Sequence, residues 1–111
     1  MSDLTGPEKR AFERLLAMGG GYILDFSNRT FSEFVMDSTG RDIYDARYDF
    51  GSGSKANRLR GFWKEEPNHI VAQLMGELLD HAVQTGTRQE TDSQLAACRR
   101  ITARLSQILQ P

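Results

Sequence analysis

The chain has 111 residues, 39% of them hydrophobic and 26% charged, a composition that suits one packed domain and excludes a disordered segment. Fourteen basic against fifteen acidic residues leave a net charge of −1, so no global field draws the protein to nucleic acid or to an anionic membrane, and such a partner would need a local patch. A single cysteine, Cys98, excludes an internal disulfide and a multi-cysteine zinc site; with no signal-like or membrane-spanning apolar stretch, a cytoplasmic address is expected.

In chain order, Thr5 and Glu8 have the spacing of a capping box around Pro7, and Phe12, Leu15 and Leu16 follow at helical period. Helix 1 is therefore expected over Pro7 to Met18. Gly19-Gly20-Gly21 then ends it, since three glycines lose too much backbone entropy to continue a helix. Tyr22 to Phe26 reads as a short extended segment. A second box, Thr30 and Glu33, starts helix 2, which carries Phe31, Phe34 and Val35 on one face as far as about Ser38, and Gly40 closes it. Arg41 to Gly53 reads as an ordered loop pinned to the core by its aromatics.

Ser54 caps helix 3, expected over Lys55 to Glu66, with Ala56, Leu59, Phe62 and Trp63 on one face and Pro67 stopping it. Asn68 is the expected cap of helix 4, where Ile70, Val71, Leu74, Met75, Leu78, Leu79, Ala82 and Val83 form a wide apolar stripe. After the turn at Thr85-Gly86-Thr87, a third box at Thr91 and Gln94 opens helix 5, with Leu95, Cys98, Ile101, Leu105 and Ile108 near a 3.5-residue period as far as about Gln110. The expected architecture is a single all-α domain over residues 1–111: a bundle of about five helices with at most a short extended piece near 22–26, and helices 4 and 5 as a hairpin. Its core is expected to include Phe26, Phe31, Phe34, Leu59, Phe62, Trp63, Leu74 and Leu78. The stripe of helix 5 suits a homodimer as well as a core.

The residues offer little for catalysis, and the sequence reads as non-enzymatic. His69 and His81 lie out of phase on helix 4 with no cysteine or carboxylate pair to complete a metal site; each suits a solvated or capping position. No nucleophile–base arrangement is present, and neither cofactor nor metal is expected. Gly51-Ser-Gly-Ser54-Lys55 places small residues and a lysine at a helix start, but it lacks the order of a nucleotide-binding loop and suits a capped turn better than a phosphate contact.

Two segments suggest recognition. Between Arg47 and Lys64, five bases (Arg47, Lys55, Arg58, Arg60, Lys64) face one acid, Asp49, leaving a local +4. On a helical wheel Lys55 and Arg58 fall on one flank of the Leu59–Trp63 stripe and Arg60 and Lys64 on the other, so snorkelling around a buried tryptophan competes with nucleic-acid contact. The turn Asp25-Phe26-Ser27-Asn28-Arg29 suits either a buried Asp25–Arg29 pair or a recognition surface. Together, Asp25, Ser27, Asn28, Arg29, Ser54, Lys55, Arg58, Arg60 and Lys64 are the candidate partner-binding residues.

Gly20-Gly21-Tyr22-Ile-Leu-Asp25-Phe26-Ser27-Asn28-Arg29-Thr30-Phe31-x-x-Phe34, with Asp42-Ile43-Tyr44 and then Gly51-Ser-Gly-Ser-Lys55-Ala56-Asn-Arg58-Leu59-Arg60-x-Phe62-Trp63, resembles the third N-terminal domain type of AbiJ-like abortive infection proteins of bacteria, over roughly Gly20 to Leu79. The resemblance implies a helical accessory domain of an anti-phage system that senses an infection cue or relays it to an effector such as an RNase. No effector pattern follows helix 5, so the chain is expected to be either the N-terminal module of a longer protein or a stand-alone domain. A protein partner or fused effector is the leading expectation, a small nucleic-acid-binding domain using 47–64 the alternative, and a membrane partner is not expected.

Overall fold

In a computed structural model, which describes residues 2–107, five α-helices pack around one core: α1 (Gly6–Leu15), α2 (Asn28–Thr39), α3 (Lys55–Glu65), α4 (Asn68–Gln84) and α5 (Ser93–Gln107). One-turn 3-10 helices stand at Met18–Gly20 and Ala46–Tyr48, and among the described residues there is no β-strand. Tyr22–Phe26, the expected extended piece, is a run of turns instead. Leu24 adopts φ 48°, its N–H donates to Leu16 O, and Phe26 N–H donates to Ile23 O, so the backbone is satisfied locally rather than by a ladder.

The capping box at Thr5 and Glu8 forms as expected, but α1 stops about three residues before Met18. Ala17 takes the left-handed conformation, at φ 56°, ahead of the glycines. The Ala17 N–H donates to the Arg14 carbonyl at 3.3 Å, and a distant residue adds to the stop. Arg88, from the α4–α5 turn, donates to the Arg14 and Leu15 carbonyls at 3.4 and 3.2 Å and satisfies acceptors that another helical turn would have taken. Of the glycine triplet, Gly21 is the one with positive φ, 87°, and its carbonyl accepts the Ala56 N–H, tying this turn to the start of α3.

Three other caps shift from their expected positions. Helix α2 is boxed by Ser27 and Thr30, each side chain accepting the other's backbone N–H, so Thr30 is the third helical residue and not the cap. Pro67 takes the cap position of α4, while Asn68 becomes its first residue and joins Asp3 through two hydrogen bonds, 2.7 and 2.9 Å. Asp92 replaces Thr91 at the head of α5: its carboxylate accepts Gln94 N–H and its carbonyl accepts Ala96 N–H.

Trp63 lies at the centre, 1% exposed, 6.0 Å from Phe12 ring to ring, with its indole N–H on Met75 Sδ. Phe31, Leu59, Phe62, Leu74 and Leu78 are fully buried around it, as are Ile43 and Tyr48 from the loop before α3. The α4 stripe is buried from Ile70 to Ala82, and α4 shares its most extensive contact with α5. Leu95, Cys98 and Leu105 of α5 point into this core with Ile101 partly buried, so that stripe is used within the chain; Ile108 and the expected end of the helix near Gln110 lie outside the described residues. Phe26 and Phe34 are only partly buried. His81, expected to be solvated or capping, stacks on Phe26 at 4.7 Å and meets Phe34 edge-on at 5.4 Å, closing the core at that corner. No helix among the described residues is long and apolar enough to cross a membrane.

Gly61 fixes how the loop lies on α3. A β-carbon there would sit 2.1 Å from the carbonyl oxygen of Tyr48, so the loop backbone presses directly on the helix. The loop is held from below by Glu66, a carboxylate 4% exposed that accepts Tyr48 Oη at 2.5 Å and pairs with Arg41 at 3.2 Å and Arg47 at 3.7 Å. Burial first, and then the hydrogen bond to Glu66, raise the Tyr48 phenol well above its ordinary range.

Candidate functional site

The fold brings parts of the distant sequence motifs, Tyr22 and Asn28 of the first with Tyr44 and Lys55 of the others, to one surface with Asn28 between them. The side-chain oxygen of Asn28 accepts Lys55 Nζ at 3.3 Å and its backbone carbonyl accepts Tyr44 Oη at 3.2 Å. Lys55 is itself buried, 8% exposed, and lies beneath the Tyr22 ring at 5.0 Å. It supports this surface rather than meeting a partner. Tyr22 above it is the most exposed large hydrophobic side chain described, at 62%. Tyr44 sits beside it, with the Arg58 guanidinium 5.4 Å from its ring centroid.

The remaining candidate residues separate by role. Ser27 and Ser54 are used as helix caps. Arg58 pairs with Asp49 at 2.9 Å and donates to Asp45 O. Arg60 turns to the opposite flank and pairs with Glu13 of α1 at 2.7 Å. The two flanks of α3 thus divide as the helical wheel predicts, and the three arginines of the 47–64 run are matched by Asp45, Asp49, Glu66 and Glu13, while Lys55 and Lys64 have no ion pair among the described residues. The expected Asp25–Arg29 pair does not form. Both side chains are exposed and make no ion pair with each other.

Comparison with known proteins gives no assignment: no family model, curated protein or solved structure matches the chain. The chemistry of the surface must therefore be read from its own residues. Among the described residues no three His, Cys, Asp or Glu side chains come together as a metal site. The groups gathered at Asn28 are aromatic rings, an amide and two cations, and none is a nucleophile beside a base. Such a surface can stack and hydrogen-bond.

Tyr22 is not among the sequence candidates, because Tyr22 to Phe26 reads there only as a short extended segment. No local signal distinguishes it, since of the two neighbours of buried Ile23, Leu24 packs against the core while Tyr22 is exposed.

Proposed function

We propose that this chain is a non-catalytic interaction module of a bacterial anti-phage system, engaging a protein partner through the surface around Tyr22, Tyr44 and Asn28. One observation carries the reading. Tyr22 is a large aromatic ring held 62% exposed over a buried lysine, and exposed rigid aromatics with a charged neighbour are characteristic anchors of protein interfaces. Tyr44 and Arg58 extend the same surface, while Asp25 and Arg29 stand at its edge with no ion pair between them. The anti-phage setting rests on the resemblance of the motifs at 20–34, 42–44 and 51–63 to the AbiJ-type accessory domain.

The test is site-specific photo-crosslinking in bacterial cells. A photoreactive phenylalanine analogue replaces Tyr22 in one strain and Glu33, on α2, in a control strain, each sampled before and after phage infection. A discrete protein adduct from the Tyr22 position alone, changed by infection, supports the module. Adducts equal at the two positions, or nuclease or nucleotide-hydrolysing activity of the purified chain, would refute it.

A further inference from the structure

The basic patch legible in the sequence is not the one the fold builds. On the far flank of α3 two hollows adjoin between α1 and α3, one of about 340 Å³ over Phe50 and Trp63, the other of about 450 Å³ beside Ala17 and Gly19. They share a wall, the Arg60–Glu13 ion pair. Lys9 and Lys64 border the first, Arg10 and Arg14 the second, and none of these four has an ion-pair partner among the described residues. Five cations against one carboxylate leave +4 around the two hollows, in a chain whose net charge is −1.

We propose that this groove binds an acidic peptide segment of a partner protein, seating one apolar side chain on Phe50 and Trp63 while its carboxylates meet Lys9 and Lys64 on one side and Arg10 and Arg14 on the other. Phe50 is 42% exposed and Trp63 1%, so the first hollow offers one open aromatic face over a closed floor. A single ring in a small apolar hollow with cations at the rim matches an anchor side chain flanked by acids. Single-stranded nucleic acid would instead need successive aromatic faces along a continuous basic track, and the described hollows hold one such face. The groove lies on the opposite flank of α3 from Tyr22 and Lys55. The proposal rests on the reading of the chain as an interaction module but not on which residues form the Tyr22 surface.

The experiment uses the full chain and three labelled probes at low salt, followed by fluorescence anisotropy: an eight-residue peptide of glutamate and aspartate around one tryptophan, the same peptide with serine for tryptophan, and an oligothymidine of similar charge. The tryptophan peptide should bind, and bind about tenfold more tightly than either other probe. Charge reversal with Lys9→Glu and Lys64→Glu should weaken it about tenfold or more, while Tyr22→Ala leaves it unchanged. Circular dichroism verifies that the variants remain helical; should the double reversal not fold, Arg10→Glu with Arg14→Glu tests the other side of the groove. No binding of the tryptophan peptide at about 1 mM overturns the proposal. So does equal binding of the serine peptide, preference for oligothymidine, or indifference to charge reversal. Failure here leaves a crosslink at Tyr22 possible to observe, and success here does not require one, so the two readings fail separately.

Discussion

Replacing Gly61 with alanine tests the account of how the loop sits on α3. In an exposed helix this change stabilises by about 1 kcal/mol, because alanine loses less backbone entropy. Here the new β-carbon would lie 2.1 Å from Tyr48 O, 2.7 Å from Tyr48 C and 2.9 Å from Tyr48 Cα, all backbone atoms that cannot rotate away. Relief requires the loop to lift by roughly 1 Å, which strains the Tyr48–Glu66 hydrogen bond and opens the packing beneath; overpacking of this kind costs up to about 3 kcal/mol. The net expectation is a loss of about 2 kcal/mol, or a fall in Tm of about 8 °C for a chain of this length. Urea denaturation read by the fluorescence of the single tryptophan, buried Trp63, measures it directly. An alanine variant as stable as the parent would refute the reasoning, because helix entropy would then outweigh a contact that is not in fact pressed.

Further expectations follow from the buried polar groups. Tyr48→Phe removes a donor from a carboxylate 4% exposed and should cost about 1.5–3 kcal/mol in chemical denaturation; no loss would mean that Arg41 and Arg47 suffice to hold Glu66. Burial by itself would raise the carboxyl of Glu8, but the Thr5 backbone N–H and the Arg104 guanidinium, 2.5 Å away, outweigh it and hold the group below 4.5. Because the folded value is depressed, the stabilisation is present above pH 4.5 and is lost as pH falls through the folded value, so Glu8→Gln should be less stable than the parent at neutral pH and approach it in acid. A gap between the two proteins that stays constant with pH counts against this pairing. Burial pushes the Cys98 thiol up to about 11, so a disulfide reagent at neutral pH should leave the folded protein unlabelled and modify it fully in denaturant.

The helices were legible because their apolar stripes lie at local spacing: Ala56, Leu59, Phe62 and Trp63 could be seen to share a face without knowing what covers it. Helix ends were less so. Ser27 and Thr30 both suit a cap, and the reciprocal Ser27–Thr30 box that forms is joined in the first turn by long-range bonds from Tyr44 and Lys55 to Asn28. The carbonyls left at the early end of α1 are met in part by Arg88, more than seventy residues further along the chain. The same logic governs the surfaces. The +4 count over 47–64 was correct as arithmetic, yet Glu13 and Glu66, both outside the acid considered there, draw off Arg60 and Arg47. Lys9, Arg10 and Arg14 drew no notice in an ordinary amphipathic helix; they gain meaning when α3 is laid beside them.

Glu66 has one more implication. Its carboxylate engages Arg41, Tyr48 and Arg47 at once, so losing that one group would release three attachments of the 41–50 segment together and leave buried Ile43, the Tyr44–Asn28 hydrogen bond and the Arg58 contacts to Asp45 and Asp49 to hold it. Tyr44 and Phe50 belong to that segment, one on each flank of α3. One buried carboxylate therefore underlies both rings.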